Sequence, residues 1–132
     1  MSTAMLPLVD TDVWIDFLRG TPQAVAFVSK LPTDVAISSI SVAELYAGVR
    51  DGVESQVLKD LLDTLEIIDL NRDIAQAGGL IRREHGKTHG VGLNDALIAA
   101  TAVNRTACLY TLNVKHYPSL LKNQVMQPYR KS

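Results

Sequence analysis

The stretch Leu8-Val9-Asp10-Thr11-Asp12-Val13-Trp14-Ile15-Asp16 decides the interpretation of this chain. It predicts a short buried strand that ends in carboxylates just where a helix begins. A charge at the end of an apolar strand is costly unless something compensates it. Carboxylates in such a place suit a divalent cation, because hard cations prefer oxygen ligands. We therefore predict that Asp10 is a metal ligand, that Asp12 is mainly the N-cap of a helix over Val13–Leu18, and that Asp16 is a surface charge.

Alternating strands and helices indicate an α/β fold. The strands are predicted at Leu6–Asp10, Val35–Ser39, Glu66–Leu70, Ala107–Leu112 and Gln124–Met126. The helices between them are predicted at 23–31, 41–50, around 57–65, from residue 71 or 73 to about 84, and from residue 94 to 103. This order predicts a central, mostly parallel sheet of four to five strands with helices on both faces. Its ligands are expected at the carboxyl ends of the strands, where the strand order reverses.

Composition narrows the class of protein. The 132 residues are most simply one domain, 1–132, and 13 Lys+Arg against 14 Asp+Glu leave a formal charge of -1. That balance argues against a protein that coats nucleic acid through bulk charge. The single cysteine, Cys108, lies in an apolar run and predicts a core thiol in a reducing compartment. No secretory signal or membrane span is visible, so we expect a cytoplasmic protein with no membrane partner.

Two further carboxylates could join Asp10. Glu44 ends the pattern Ser41-Val-Ala-Glu44, which fits either a capping box or a functional acid. Asp95 opens a helix that is apolar on nearly every face, so its carboxylate should lie at the mouth of the core. The segment Lys87–Gly92 before it is expected to be a loop. The histidines His85, His89 and His116 have no spacing that indicates a zinc site, and the first two are expected in loops.

Four motifs in order resemble the PIN domain, and within that family the VapC-like toxin ribonucleases. They are the run 9–16, the run 38–45 with Gly48, the run 94–100, and Thr111-Leu-Asn113-Val-Lys-His116-Tyr117. The resemblance covers essentially the whole chain and implies a PIN-like three-layer fold. It also implies a metal site formed by Asp10, Glu44 and Asp95, with Asn113 assisting in catalysis. Many members carry Asp at one or both of the positions of Asn113 and His116, and this chain has neither acid.

The resemblance implies an endoribonuclease that depends on Mg²⁺ or Mn²⁺ and acts as the toxin of a toxin–antitoxin pair. The expected partners are an RNA substrate, a cognate antitoxin whose C-terminal segment blocks the acidic groove, and a second copy in a homodimer. A hard cation suits this chemistry, because it neutralises charge on a phosphodiester and lowers the pKa of a bound water. Six cations are candidates for phosphate contact: Arg19, Arg50, Arg82, Arg83, Lys87 and Lys115.

Two other functions stay open. Asp10-Thr-Asp12-Val also fits the opening of haloacid-dehalogenase-like phosphatases, with Asp10 as nucleophile and Asp12 as the acid–base group. That hypothesis is weaker, because no convincing strand precedes Gly90 and Glu44 is left unused. The missing fourth acid would instead fit a PIN-like module that binds RNA or a partner and has little activity.

Overall fold

The structure is a computed structural model that describes residues 5–117 and 123–130. The helices in these ranges are α1 (Thr11–Leu18), α2 (Pro22–Ser29), α3 (Ser39–Gly48), α4 (Val53–Leu62), α5 (Arg72–His89) and α6 (Leu93–Arg105). The strands are β1 (Leu6–Val9), β2 (Ala36–Ser38), β3 (Glu66–Ile68), β4 (Ala107–Tyr110) and β5 (Val125–Met126). All five predicted strands are present, each shorter by one or two residues than its predicted range.

The five strands form one sheet in the order β3-β2-β1-β4-β5, and every pairing is parallel. The α/β prediction is therefore confirmed, with a sheet that is wholly rather than mostly parallel. The chain moves from β1 outward to β2 and β3, and then returns to the other side of β1 with β4. The strand order thus reverses between β1 and β4, and a parallel α/β sheet opens its ligand crevice at that point.

Helices cover both faces of the sheet and give it three layers. Successive strand residues point to opposite faces, so Leu8 belongs to one core cluster and Val9 to the other. The first cluster packs under α5 and α6, and the second packs under α1, α3 and α4. Residues 96–102 of α6 are all buried, as expected of a helix that is apolar on nearly every face.

Helices α5 and α6 approach closely at one glycine. A Cβ atom added to Gly78 would lie 2.6 Å from Leu97 Cδ2 and 3.1 Å from Leu97 Cα. Only a glycine leaves space for the backbone of α6 there. Its neighbour Gly79 has no atom within 4 Å of an added Cβ, so of these two glycines only Gly78 is required for the close approach.

The predicted loop over Lys87–Gly92 is wrong for its first half. Helix α5 continues through Gly86 to His89, so His85 and His89 are helical and not in a loop. The helix stops at Gly90, which takes the left-handed conformation with φ 65°. Glycine adopts that backbone at no steric cost and commonly ends helices. In the part of the chain that the structure describes, no helix combines the length and apolarity that a membrane crossing requires.

Candidate active site

A cleft of about 220 Å³ lies at the carboxyl edge of the sheet, where the strand order reverses. It is lined by Asp10, Thr11, Asp12, Ile15, Glu44, Asp95 and Asn113. The four site residues expected from the sequence therefore share one cleft, although they come from the end of β1, from α3, from α6 and from the segment after β4. The structure adds Asp12 and Thr11 to them.

Asp10 is held at the end of β1 by hydrogen bonds on three sides. Its backbone N–H donates to the carbonyl of Tyr110 at 2.9 Å, which ties it to the end of β4. Its Oδ1 accepts from the N–H of Thr11 at 2.8 Å, and its Oδ2 accepts from the hydroxyl of Tyr117 at 3.2 Å. The side chain is only 5% exposed. Burial, followed by the charge of Asp12, raises the pKa of Asp10 from 3.8 to about 7.

Glu44 does not form the capping box that was left open. Helix α3 begins at Ser39 with Ser38 as its N-cap, so Glu44 lies in the second turn rather than at the third position. Its carboxylate instead reaches across to another element, where Oε1 accepts from the Thr11 hydroxyl at 2.7 Å. Its Oε2 accepts from Asn94 Nδ2 at 3.4 Å. Thr11 therefore fixes Glu44 beside Asp10.

Asp95 lies in the first turn of α6, beside the same cleft. Burial raises its pKa, the charge of Glu44 raises it further, and His116 acts in the opposite direction. The carboxylates therefore lie close enough to disfavour one another's charge. Such mutual repulsion is expected where several acids share a cation site.

Asp12 is not the N-cap of α1, which corrects the sequence prediction. The helix begins at Thr11, and Asp10 is its N-cap. Asp12 is therefore free to turn toward the end of β4, where its Oδ2 accepts from the N–H of Leu112 at 3.0 Å and from Asn113 Nδ2 at 3.2 Å. The alternation of acids at positions 10 and 12 is the sequence signal for a role of Asp12 in the cleft. This signal is hidden when the helix is assumed to begin at Val13 with Asp12 as its N-cap.

Asp16 is also placed differently from the prediction of a surface charge. It is 3% exposed and accepts a hydrogen bond of 2.8 Å from the hydroxyl of Tyr129. It does not line the cleft. Its position one helical turn after Asp12 gave no warning of this, because its partner is 113 residues away in the chain.

Within residues 5–117 and 123–130, no three His, Cys, Asp or Glu side chains are grouped closely enough to form a ready-made metal site. The charged and amide groups of the cleft nevertheless offer only oxygen atoms as metal ligands, namely those of Asp10, Asp12, Glu44, Asp95 and Asn113. Magnesium and manganese prefer such ligands, whereas zinc favours nitrogen and sulfur.

A family model described as the PIN domain matches residues 8–114. This chain belongs to the PIN-domain family. The matched range contains all four residues predicted for the site, the last two residues of β1 and the whole of β4. The resemblance noted in the sequence is thereby confirmed.

Two relatives and one solved structure illustrate what this PIN domain is similar to. It is 36% identical to Ribonuclease VapC19 of Mycobacterium tuberculosis over 117 residues, with coverage of 86% of this chain and 93% of the relative. It is 39% identical to Ribonuclease VapC10 of the same species over 114 residues, with coverage of 84% and 85%. A toxin–antitoxin complex from Klebsiella pneumoniae superposes with a TM-score of 0.82 at 30% identity, over 98% of this chain and 100% of that one.

Proposed function

We propose that this PIN domain is a metal-dependent endoribonuclease and acts as the toxin of a toxin–antitoxin pair. The observation that carries the proposal is the meeting of Asp10, Glu44 and Asp95, from three separate elements, in one cleft at the switch point of the sheet. The relatives named as VapC ribonucleases, and the likeness to a solved toxin–antitoxin complex, support the same class of activity.

The side chains of the cleft fit a hard divalent cation by their chemistry. Asp10, Glu44 and Asp95 would hold Mg²⁺ or Mn²⁺, and Asn113 would add an amide oxygen. Such a cation neutralises charge on the phosphodiester and lowers the pKa of the attacking water. The buried Asp10 fits this role, because its burial is costly for a lone carboxylate and favourable beside a cation.

The protein's own groups would position the reaction. Thr11 contacts Glu44 Oε1 at 2.7 Å and Asn94 contacts Oε2 at 3.4 Å, so the carboxylate is fixed in the cleft, where it can orient or deprotonate the attacking water. An RNA backbone next to this acidic cleft needs cations for its phosphates. Of the six candidate cations, Arg19 and Arg50 line a second groove that adjoins the acidic cleft. Arg50 pairs with Glu54 at 2.6 Å. Arg19 is therefore the better candidate of the two for a phosphate contact.

A larger groove adjoins the cleft and offers a place for the antitoxin. Its volume is about 570 Å³, and it shares Ile15 and Glu44 with the acidic cleft. Most of its remaining lining is apolar: Leu18, Leu45, Gly48, Val49, Val53 and Val57. An amphipathic helix could bury its apolar face here and extend toward the carboxylates. We therefore place the inhibitory segment of the cognate antitoxin in this groove.

The phosphatase hypothesis loses its main support in the structure. Gly90 follows helix α5 and not the strand that this hypothesis requires before it. Asp12 is committed to Leu112 and Asn113 and is not free as an acid–base group. The homodimer, the single domain over 1–132 and the cytoplasmic location stay predictions.

RNA cleavage in the presence and absence of metal tests the proposal. Purified protein with Mg²⁺ or Mn²⁺ should cut structured RNAs, and EDTA should abolish the cutting. Asp10→Asn should lower the rate by about 100-fold or more, because it removes a carboxylate from the reacting centre. The control is Asp63→Asn, an exposed acid at the end of α4, which should cleave like the parent. RNA binding without cleavage, unchanged by Asp10→Asn, would support the binding module instead.

A further inference from the structure

Asp12 and Asn113 contact each other directly at the edge of the cleft. We propose that they act as one unit, in which Asp12 supplies the negative charge that Asn113 lacks and orients the Asn113 amide. Asp12 would thus be a positioning residue and the fourth acid of the site. This inference extends the proposed function. Its predictions about cation binding and cleavage rest on that function, whereas its predictions about stability do not.

Three groups from one short segment point at the Asp12 carboxylate. Its Oδ2 accepts from the N–H of Leu112 at 3.0 Å, from Asn113 Nδ2 at 3.2 Å and from the Thr111 hydroxyl at 3.4 Å. The first turn of α1 is thereby fixed to the segment that follows β4, although the two are about a hundred residues apart. Burial, the larger effect, raises the pKa of Asp12 above its ordinary value, whereas these donors favour its ionised form.

The contact also decides which way the Asn113 amide points. A carboxylate accepts hydrogen bonds and cannot donate them when ionised, so the amide must face Asp12 with its nitrogen. Its carbonyl oxygen is then the atom that Asn113 can offer to the cleft. A cation binds a carbonyl oxygen and is repelled by an amide N–H, so this orientation is the useful one. The charged acceptor also polarises the amide, which strengthens that oxygen as a ligand.

The charge of Asp12 affects the neighbouring acid Asp10 in the cleft. The second oxygen of Asp12, Oδ1, is buried and has no hydrogen-bond partner among the described residues, so part of the charge is left without compensation. Asp10 responds to it, because the charge of Asp12, after burial, raises the pKa of Asp10. An aspartate at position 113 would place a second carboxylate against Asp12 at about the present contact distance. An asparagine at position 113 avoids this repulsion and donates a hydrogen bond to Asp12.

The pairing of the two residues can be tested by exchanging Asp and Asn between positions 12 and 113. Asp12→Asn keeps an oxygen for Leu112 but removes the charge. It should weaken Mn²⁺ binding about tenfold, as loss of an outer partner typically does, and leave the unfolding temperature in EDTA equal or higher. Asn113→Asp should lower that unfolding temperature at pH 8 in the parent protein, because two carboxylates then face each other. In the Asp12→Asn background the same change should cost little stability and should restore most of the Mn²⁺ affinity.

The measurements are Mn²⁺ titration by calorimetry and thermal unfolding of the metal-free protein, with Asp63→Asn as the control. The inference is overturned if Asp12→Asn binds Mn²⁺ as tightly as the parent. It is equally overturned if Asn113→Asp lowers stability by the same amount in both backgrounds, or if the double variant fails to fold while Asp12→Asn folds. If Asn113→Asp alone does not fold and the double variant does, the pairing is supported. A parent protein that cuts no RNA would contradict the proposed function and leave the unfolding comparison as a valid test.

Discussion

The Tyr117 hydroxyl donates a hydrogen bond of 3.2 Å to Asp10 Oδ2, inside the core at the end of β1. Tyr117 is 8% exposed and packs in the cluster beneath α5 and α6. The same residue thus contributes an apolar ring to the core and a donor to the most buried acid of the cleft. The bond reaches the oxygen of Asp10 that the Thr11 N–H leaves uncovered.

Tyr117→Phe removes this donor and keeps the ring. At pH 8 the ionised Asp10 then loses a charged hydrogen bond, so the metal-free protein should lose about 1.5–3 kcal/mol of unfolding free energy. Urea unfolding in EDTA measures the change. Tyr46→Phe is the matched control, because Tyr46 is 45% exposed, and its free energy of unfolding should stay that of the parent. Equal stability of all three proteins would show that the bond contributes nothing.

The raised pKa of Asp10 predicts how stability changes with pH. The carboxyl has a pKa of about 7 when folded and 3.8 as its ordinary value, so between these pH values the folded state binds more protons than the unfolded state. Its contribution to stability is therefore fully present below about pH 4 and is lost as the pH rises toward 7.

Asp10→Asn should remove that pH dependence. In EDTA at pH 8 the variant should be more stable than the parent by about 1 kcal/mol or more, because it no longer buries a charge. Unfolding curves at a series of pH values from 4 to 8, on the order of one per half unit, give both profiles. A parent profile that rises through this window would contradict the assignment of a buried, raised-pKa acid.

The two adjacent glycines of α5 should respond in opposite directions to the same change. Gly78→Ala forces a Cβ against Leu97, including its backbone, and should cost about 1–3 kcal/mol. Gly79→Ala meets no atom within 4 Å and should stabilise the helix by about 0.5–1 kcal/mol. Chemical unfolding of both variants measures the difference, and equal effects would contradict the close approach of α5 and α6.

Thr11→Val should separate the positioning of Glu44 from folding. The substitution keeps the shape of the side chain and removes the hydroxyl that donates to Glu44 at 2.7 Å. Cleavage should fall roughly tenfold, as for other groups that orient a metal ligand, while the protein stays folded. Thr21→Val is the control, since the Thr21 side chain makes no capping bond at the start of α2. The same loss of activity in both variants would show that the Thr11 hydroxyl has no specific role in the site.

Local patterns in the sequence predicted the strands and placed Asp10 and Asp95 at one edge of the sheet, whereas the site roles of Glu44 and Asn113 came from the resemblance to the PIN domain. Asp10 and Asp95 could be predicted from the apolar elements beside them. An acid at the end of an apolar strand or helix is expected at the edge of the core, because a charge buried among apolar side chains is costly. Asp12 could not be placed in this way, since its role depends on whether α1 begins at Thr11 or two residues later. That choice is made by tertiary contacts, among them the bond from Thr11 to Glu44.

The burial of Asp16 depends on a still longer connection. Its partner Tyr129 comes from the end of the chain, beyond β5, and no local periodicity reports such a contact. The length of α5 illustrates a different limit. Gly86 is unfavourable in a helix by about 1 kcal/mol, and packing of the flanking helix against α6 outweighs that preference.

Calorimetric titration of Mn²⁺ into the parent protein and into Asp10→Asn, Glu44→Gln and Asp95→Asn measures whether these carboxylates bind the metal. We expect the parent to bind Mn²⁺ in the cleft and each substitution to weaken binding by about tenfold or more, because each removes a charged ligand. Asp63→Asn should bind like the parent. Equal Mn²⁺ affinity in the parent and all three variants would contradict the claim that these carboxylates form a metal site.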